Sequence, residues 1–253
     1  MKNSIVEILG NVTVLKPDQF YEYIAQSIKK KEKKFIVTAN PEIVMLGRKN
    51  EEMLHILKNK AIVIPDGIGV VKAVNALGRN AVRNTGIEFV VYLLDEANKH
   101  NLDVFIYGAK EEVLNDFKEK CTKNWPNIHF SGLYNGYTSN DKDVIKEIKK
   151  NTSDIYFVAL GTPRQELFIN SFYDEIGKGI CVGIGGSMDV LSGHVKRAPQ
   201  FFLTHNLEWL YRITTEPKRM QRFIKGNIMF VFVFIKDMMI KRLKYSYGNE
   251  TEA

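Results

Sequence analysis

The chain of 253 residues carries 36 Lys and Arg against 29 Asp and Glu, a formal net charge of +7 that favours anionic partners such as nucleotides, phospholipid headgroups or nucleic acid. Its lysines are spread thinly, which makes nucleic acid the weakest of the three. The length suits one α/β domain with a small appendage better than two equal domains, and two cysteines without CxxC or Cys/His spacing, Cys121 and Cys181, argue for a reduced, cytosolic protein with no structural zinc.

The opening MKNSIVEILG has a Glu inside its short apolar stretch and no cleavage pattern, so no signal peptide is expected. Phe20, Ile24 and Ile28 recur at helical spacing, and FIVT at 35–38 then reads as a strand. Asn40-Pro41-Glu42 has the pattern of a helix start, with Asn as cap, Pro in the first position and an acid in the first turn. The run AIVI at 61–64 is a second buried strand; the turn Pro65-Asp66-Gly67 follows it, with helical patterns over 70–77 and 87–100.

Strands at 103–107, 154–160 and 179–184 each run into glycine, at Gly108, at Gly161 and at Gly185-Gly186. Strand, glycine turn and helix in repetition predict a Rossmann-like α/β domain, a mostly parallel sheet flanked by helices, spanning 1–197. In such a sheet, ligands bind beyond the carboxyl ends of the strands, so these loops should share one side. From about Ala198 the pattern is helical only, and 198–253 is expected to form a basic C-terminal appendage.

Within the appendage, IMFVFVFI at 228–235 is far short of the ~20 apolar residues that cross a bilayer. Arg222, Lys225, Lys236, Lys241, Arg242 and Lys244 bracket it, which fits a segment lying on an anionic membrane face; a helix packed on the core is the alternative. Arg212, Arg219 and Arg222 precede it on an aromatic-rich segment. Arginine keeps its charge and grips phosphate oxygens with a planar fork, so three of them read as a diphosphate clamp or, more plainly, as a solvated basic helix.

Several residues could carry chemistry. Asp66, at a strand end between Pro and Gly, is placed as a general base, or else caps the next helix. In Gly161-Thr162-Pro163-Arg164-Gln165-Glu166, glycine turns the chain, Pro163 can open the helix, and first-turn N–H groups can face a phosphate with Gln165 and Glu166 alongside. Glu166 alone could equally be a simple first-turn acid. GIGGSMDV at 183–190 allows close backbone approach but does not complete GxGxxG. Asp141 and Asp143 spell a DxD, yet SNDKDVIKEIKK reads as a solvated helix start, and no two of His55, His100, His129, His194 and His205 stand at metal-ligand spacing. No metal site and no cofactor are expected.

Taken in order, TANPE at 38–42, PDGIGV at 65–70, Arg83 with Thr85-Gly86, GTPRQE at 161–166, GIGGSMDVLSG at 183–193, RAP at 197–199 and EWLYR through EPKRMQR at 208–222 closely resemble the WecG/TagA/CpsF family, glycosyltransferase family 26. The resemblance spans nearly the whole chain. It implies a bacterial inverting, metal-independent transferase that moves a sugar from a UDP-sugar to an undecaprenyl-diphosphate-linked acceptor, acting as a peripheral protein on the cytoplasmic membrane face. Asp66 would be the base; Thr38, Asn40, Arg83 and Gln165 would line the substrate pocket; Arg212, Arg219 and Arg222 would meet the diphosphates. Gly108, Gly161, Pro163, Glu166, Gly185, Gly186 and Asp189 form the expected nucleotide-binding set.

Family donors include N-acetylmannosamine, glucose and N-acetylmannosaminuronic acid. The first is preferred because nothing marks a site for an acidic sugar, although Arg164 or Lys196 could supply the cation one would need. The expected partners are the UDP-sugar, the lipid-linked acceptor and an anionic membrane surface, without nucleic acid; self-association is left open. An NAD-type oxidoreductase, a nucleotide sensor and a peripheral scaffold are the competing classes, since fold alone does not separate them.

Overall fold

The computed structural model of the protein describes residues 3–215 and 226–241. Its sheet is built from β1 (Lys33–Ala39), β2 (Ile62–Pro65), β3 (Asp103–Gly108), β4 (His129–Tyr134), β5 (Ile155–Ala159) and β6 (Gly179–Gly183). Strand order is β2-β1-β6-β5-β3-β4, with every pair parallel. Five of these strands lie within or overlap the runs read from the sequence. β4, at the sheet edge, was not among them: its residues are only partly buried and Gly132 interrupts it, so it lacks the apolar run of an interior strand.

Alternate strand residues feed two separate cores, as the two-residue period of a strand requires. Phe35, Val37, Tyr107, Tyr156, Val158 and Cys181 face the helices Ile5–Gly10, Pro41–Lys49, Ile68–Ala76 and Arg164–Tyr173. Ile36, Ile64, Ile106, Phe157 and Val182 face the helices Pro17–Lys29, Gly86–His100, Glu111–Asn124 and Gly185–Leu191. The chain leaves β1 and β5 for the first face but leaves β6, which lies between them, for the second. Loops that part in this way open a crevice at the carboxyl ends of the strands, and here it is centred on β6.

Two short helices, Gln200–Thr204 and Glu208–Thr215, follow the sheet. The last described helix, 226–241, buries Phe230 and Phe234 in the same core as the helix Ile5–Gly10. Asp237, one turn on and 7 % exposed, accepts hydrogen bonds from the Ile5 amide at 2.9 Å and Ser4 Oγ at 3.2 Å, and pairs with Arg48 at 3.3 Å. The residues at i, i+4 and i+7 make one inward stripe. Met229, Val231, Phe232, Ile235 and Met239 remain exposed. The reading of this segment as a helix packed on the core therefore holds for one stripe, and the rest is an exposed apolar surface.

Candidate active site

Asp66 stands just past the end of β2, where its amide and that of Gly67 both donate to the Ala39 carbonyl at 3.0 and 3.1 Å, tying the turn to the end of β1. The N-cap residue of the next helix is Gly67, and Asp66 stands one position before it. Its carboxylate is partly buried and lies 3.8 Å from Arg83 Nη2. Arg83 reaches it from the segment between the helices Ile68–Ala76 and Gly86–His100, which the Asn84 amide fixes by donating to the Pro65 carbonyl at 2.9 Å.

Thr38 and Asn40 occupy the neighbouring end of β1. A Cβ on Gly86 would come within 3.3 Å of Thr38 Oγ1, so the bare glycine leaves the hydroxyl its room. Asn40 Oδ1 accepts from the Ile43 amide at 3.0 Å, which makes Asn40 the cap of the helix Pro41–Lys49. Its carbonyl oxygen is thereby committed, and the amide nitrogen is the end it can offer a ligand.

Across β6 lies the Gly161–Glu166 turn. Gly161 adopts φ +77, and its carbonyl accepts from the Gln165 amide at 2.9 Å, so that first-turn N–H is satisfied within the chain. Gln165 is buried and crosses over the end of β6: its Oε1 accepts from the Gly185 amide at 3.2 Å, and a Cβ on Gly183 would collide with its Nε2 at 2.3 Å. Nε2 donates to Glu166 Oε1 at 2.8 Å, and Thr162 Oγ1 donates to the same oxygen at 3.3 Å.

Glu166 is 2 % exposed, and its Oε2 has no hydrogen-bond partner among the described residues. Burial raises its carboxyl above the ordinary range, opposed by the hydrogen bonds from Gln165 and Thr162 and aided by the charge of Glu42. Glu166 is thus a first-turn acid of the helix Arg164–Tyr173, as one reading had it, and a buried one.

The remaining expected residues divide by position. Gly108 belongs to strand packing, because a Cβ there would lie 2.3 Å from the Ala159 carbonyl carbon. Pro163 precedes the helix Arg164–Tyr173 as its cap residue; Gly185, Gly186 and Asp189 lie on the helix after β6, where the Asp189 carbonyl accepts from the Val195 amide at 2.9 Å. Arg164 is turned toward the β4 side by Asp141 at 2.8 Å and the Gly136 carbonyl at 3.2 Å. Asp141 also accepts from Tyr107, and Asp143 pairs with Lys146 at 3.0 Å. Among the described residues no cluster of three His, Cys, Asp or Glu could hold a metal ion. Arg212 falls on the helix Glu208–Thr215; Arg219 and Arg222 lie outside the described residues.

Two contacts were not anticipated. Arg83 Nη1 donates to Asn206 Oδ1 at 3.2 Å and Nη2 to Glu208 Oε2 at 3.1 Å, joining the Asp66 turn to the start of the appendage. Glu208 opens the EWLYR string and Arg83 was expected in the pocket, so both residues were marked and only their pairing was not.

A crevice at a topological switch point, with a partly buried carboxylate at its rim and the helix Glu208–Thr215 tied to that rim through Arg83, is the arrangement of an α/β protein that takes its ligand beyond the strand ends. The glycosyl transferase WecG/TagA/CpsF family profile matches residues 6–244, and the chain belongs to that family. It is 40 % identical over 191 residues to the N-acetylglucosaminyldiphosphoundecaprenol N-acetyl-beta-D-mannosaminyltransferase of Bacillus spizizenii, covering 75 % of this chain and 74 % of the relative. Its Bacillus subtilis counterpart is 38 % identical over the same shares of both chains. The Staphylococcus aureus enzyme of that name is 35 % identical, with 80 % of each chain covered.

Proposed function

We propose that the chain transfers N-acetylmannosamine from its UDP derivative to the 4-hydroxyl of N-acetylglucosamine on undecaprenyl diphosphate, forming the linkage unit of wall teichoic acid. The observation that carries the reading is the Asp66 carboxylate, which stands partly buried just past the end of β2 and is joined through Arg83 to the helix bearing Arg212. The names of the relatives supply the acceptor and the sugar.

In this reading Asp66 takes the acceptor proton as the hydroxyl oxygen attacks the anomeric carbon from the face opposite UDP. The bond from that carbon to the diphosphate oxygen breaks, and its electron pair leaves with UDP. The charge growing on the diphosphate is met by Arg212, Arg219, Arg222 and backbone amides of the crevice loops. Thr38 and the amide nitrogen of Asn40 hold sugar hydroxyls. Gln165 supports the floor of the pocket from below, as its burial and its bond to the Gly185 amide favour.

The acceptor is a lipid, and the exposed apolar side of helix 226–241 is the surface suited to it. Phe232 is 68 % and Met239 58 % exposed, with Lys236 and Lys241 on the same helix to meet anionic headgroups. No described helix is long and apolar enough to cross a membrane; the exposed apolar side with its lysines is what favours a peripheral attachment, which we assign to the cytoplasmic face.

An acidic donor sugar would need a cation in the pocket, and Arg164 is held away by Asp141. A panel of UDP-sugars tested on a short-chain lipid-diphosphate N-acetylglucosamine acceptor tests the assignment. Turnover should be highest with UDP-N-acetylmannosamine; faster transfer of glucose or of the uronic acid would overturn it.

A further inference from the structure

The Arg83 guanidinium is shared between two carboxylates. Its Nη2 lies 3.1 Å from Glu208 Oε2 but 3.8 Å from Asp66 Oδ1, while its Nε donates to the Asp66 carbonyl at 2.7 Å and its Nη1 to Asn206 Oδ1 at 3.2 Å. The two side-chain bonds hold the planar fork at one end, and the carbonyl holds it at the other. Glu208 is the more buried acid, with 13 % of its side chain exposed against 29 % for Asp66, so the closer pair is also the less screened.

A guanidinium placed directly on a carboxylate favours its ionised form and makes it a weaker proton acceptor. Glu208 draws the guanidinium the other way and adds a negative charge behind it. Both effects strengthen Asp66 as a base. Among the described residues, the elements flanking the turn also carry Glu42 in the first turn of the helix Pro41–Lys49, Lys72 on the exposed side of the helix Ile68–Ala76, and Glu88 in the first turn of the helix Gly86–His100. Arg48 pairs with Asp237, Lys49 ends its helix, and Arg79 donates to the Leu9 and Gly10 carbonyls.

We propose that Glu208 is a positioning residue for the transfer reaction: it holds Arg83 on the Asp66 carbonyl and keeps the guanidinium from closing further than 3.8 Å on the Asp66 carboxylate, so the base is fully set only when the 206–208 segment is docked. This rests on the reading of Asp66 as the base. Glu208 also opens the helix carrying Arg212, so seating the phosphate-binding helix and setting the base become one event. A domain with the appendage undocked would then hold a donor with its base weakened, which limits transfer to water.

The test is the pH profile of kcat for full-length variants. Glu208→Gln removes the charge but keeps an oxygen acceptor; its acid limb should move to lower pH by about one unit and its kcat should fall about tenfold, with KM for the UDP-sugar unchanged. Asn206→Asp places a second carboxylate on Arg83, at a left-handed residue of φ 57 that Asp tolerates, and should move the acid limb the opposite way. Shifts of opposite sign are not what loss of packing produces. An unmoved acid limb in either variant, or a Glu208→Gln defect confined to KM, overturns the proposal. If Glu208→Gln does not fold, Asn206→Asp decides alone. Asp66→Asn, run alongside, separates the two readings. If it is inactive while the limbs stay unmoved, only the role of Glu208 fails. If it keeps wild-type turnover, the base assignment fails and this proposal with it.

Discussion

Gln165 donates to Glu166 at 2.8 Å while accepting from the Gly185 amide at 3.2 Å, so a buried carboxyl dictates which way a buried amide points. Gln165 has one oxygen and one nitrogen to give, and only this orientation satisfies both neighbours. The brace joins the loops after β5 and β6, whose following helices lie on opposite faces of the sheet.

Glu166 should make stability depend on pH in a definite direction. Its carboxyl is raised by burial in the folded chain, so between the unfolded value and the raised one the native state binds more protons than the unfolded state. Stability is then greatest below the unfolded value and declines as pH rises through the raised one. Glu166→Gln mimics the protonated acid and removes this decline. Melting temperatures across pH should show the variant gaining on wild type as pH rises, and parallel curves would count against a buried acid.

Glu166→Leu, by contrast, leaves Gln165 Nε2 without its acceptor. An unsatisfied buried donor costs roughly 1–3 kcal/mol. Denaturant unfolding should register this loss in Glu166→Leu and a much smaller one in Glu166→Gln.

Much of this frame is local and therefore legible. The strand runs ending in glycine, and the Asn40-Pro41-Glu42 helix start, depend on neighbours a few residues apart, and each appears where the pattern puts it. The turn at Asp66 was visible too, with Gly67 and not Asp66 as the N-cap residue of the next helix. What escaped was non-local. Arg83 meets Glu208 across 125 positions and Ile5 meets Asp237 across 232, and no periodicity carries such a pairing. Burial of Glu166 is likewise tertiary, since first-turn acids are ordinarily solvated.

Asp66→Asn should abolish transfer while leaving UDP binding close to wild type, because a base acts on the acceptor hydroxyl and not on the nucleotide. Loss of a general base costs ~10²–10⁴ in rate. Turnover measured beside UDP-induced thermal stabilisation checks both halves. Wild-type turnover would reduce Asp66 to a turn residue.

Transfer should persist in EDTA. Asp141 is engaged by Arg164 at 2.8 Å and by Tyr107, and Asp143 by Lys146 at 3.0 Å, so binding a divalent ion there would require these pairs to break. The assay is turnover with chelator, then with Mg²⁺ or Mn²⁺ restored. Activity lost with EDTA and recovered with metal would return the DxD to the mechanism.

The two sides of helix 226–241 should separate under mutation. Asp237→Ala removes the acceptor for the Ile5 amide and strands Arg48, whose side chain is only 12 % exposed; breaking a buried pair costs about 3–5 kcal/mol. The same loss should follow truncation before 226, which also takes Phe230 and Phe234 from the core. Phe232→Ser lies on the exposed side and should change stability by less than about 0.5 kcal/mol, while weakening sedimentation with anionic vesicles and lowering transfer to the lipid acceptor. Chemical unfolding and vesicle sedimentation of the two point variants are the paired measurements. If Phe232→Ser destabilises the fold as much as Asp237→Ala, or binds vesicles as well as wild type, the exposed stripe is a packing surface and not the membrane contact.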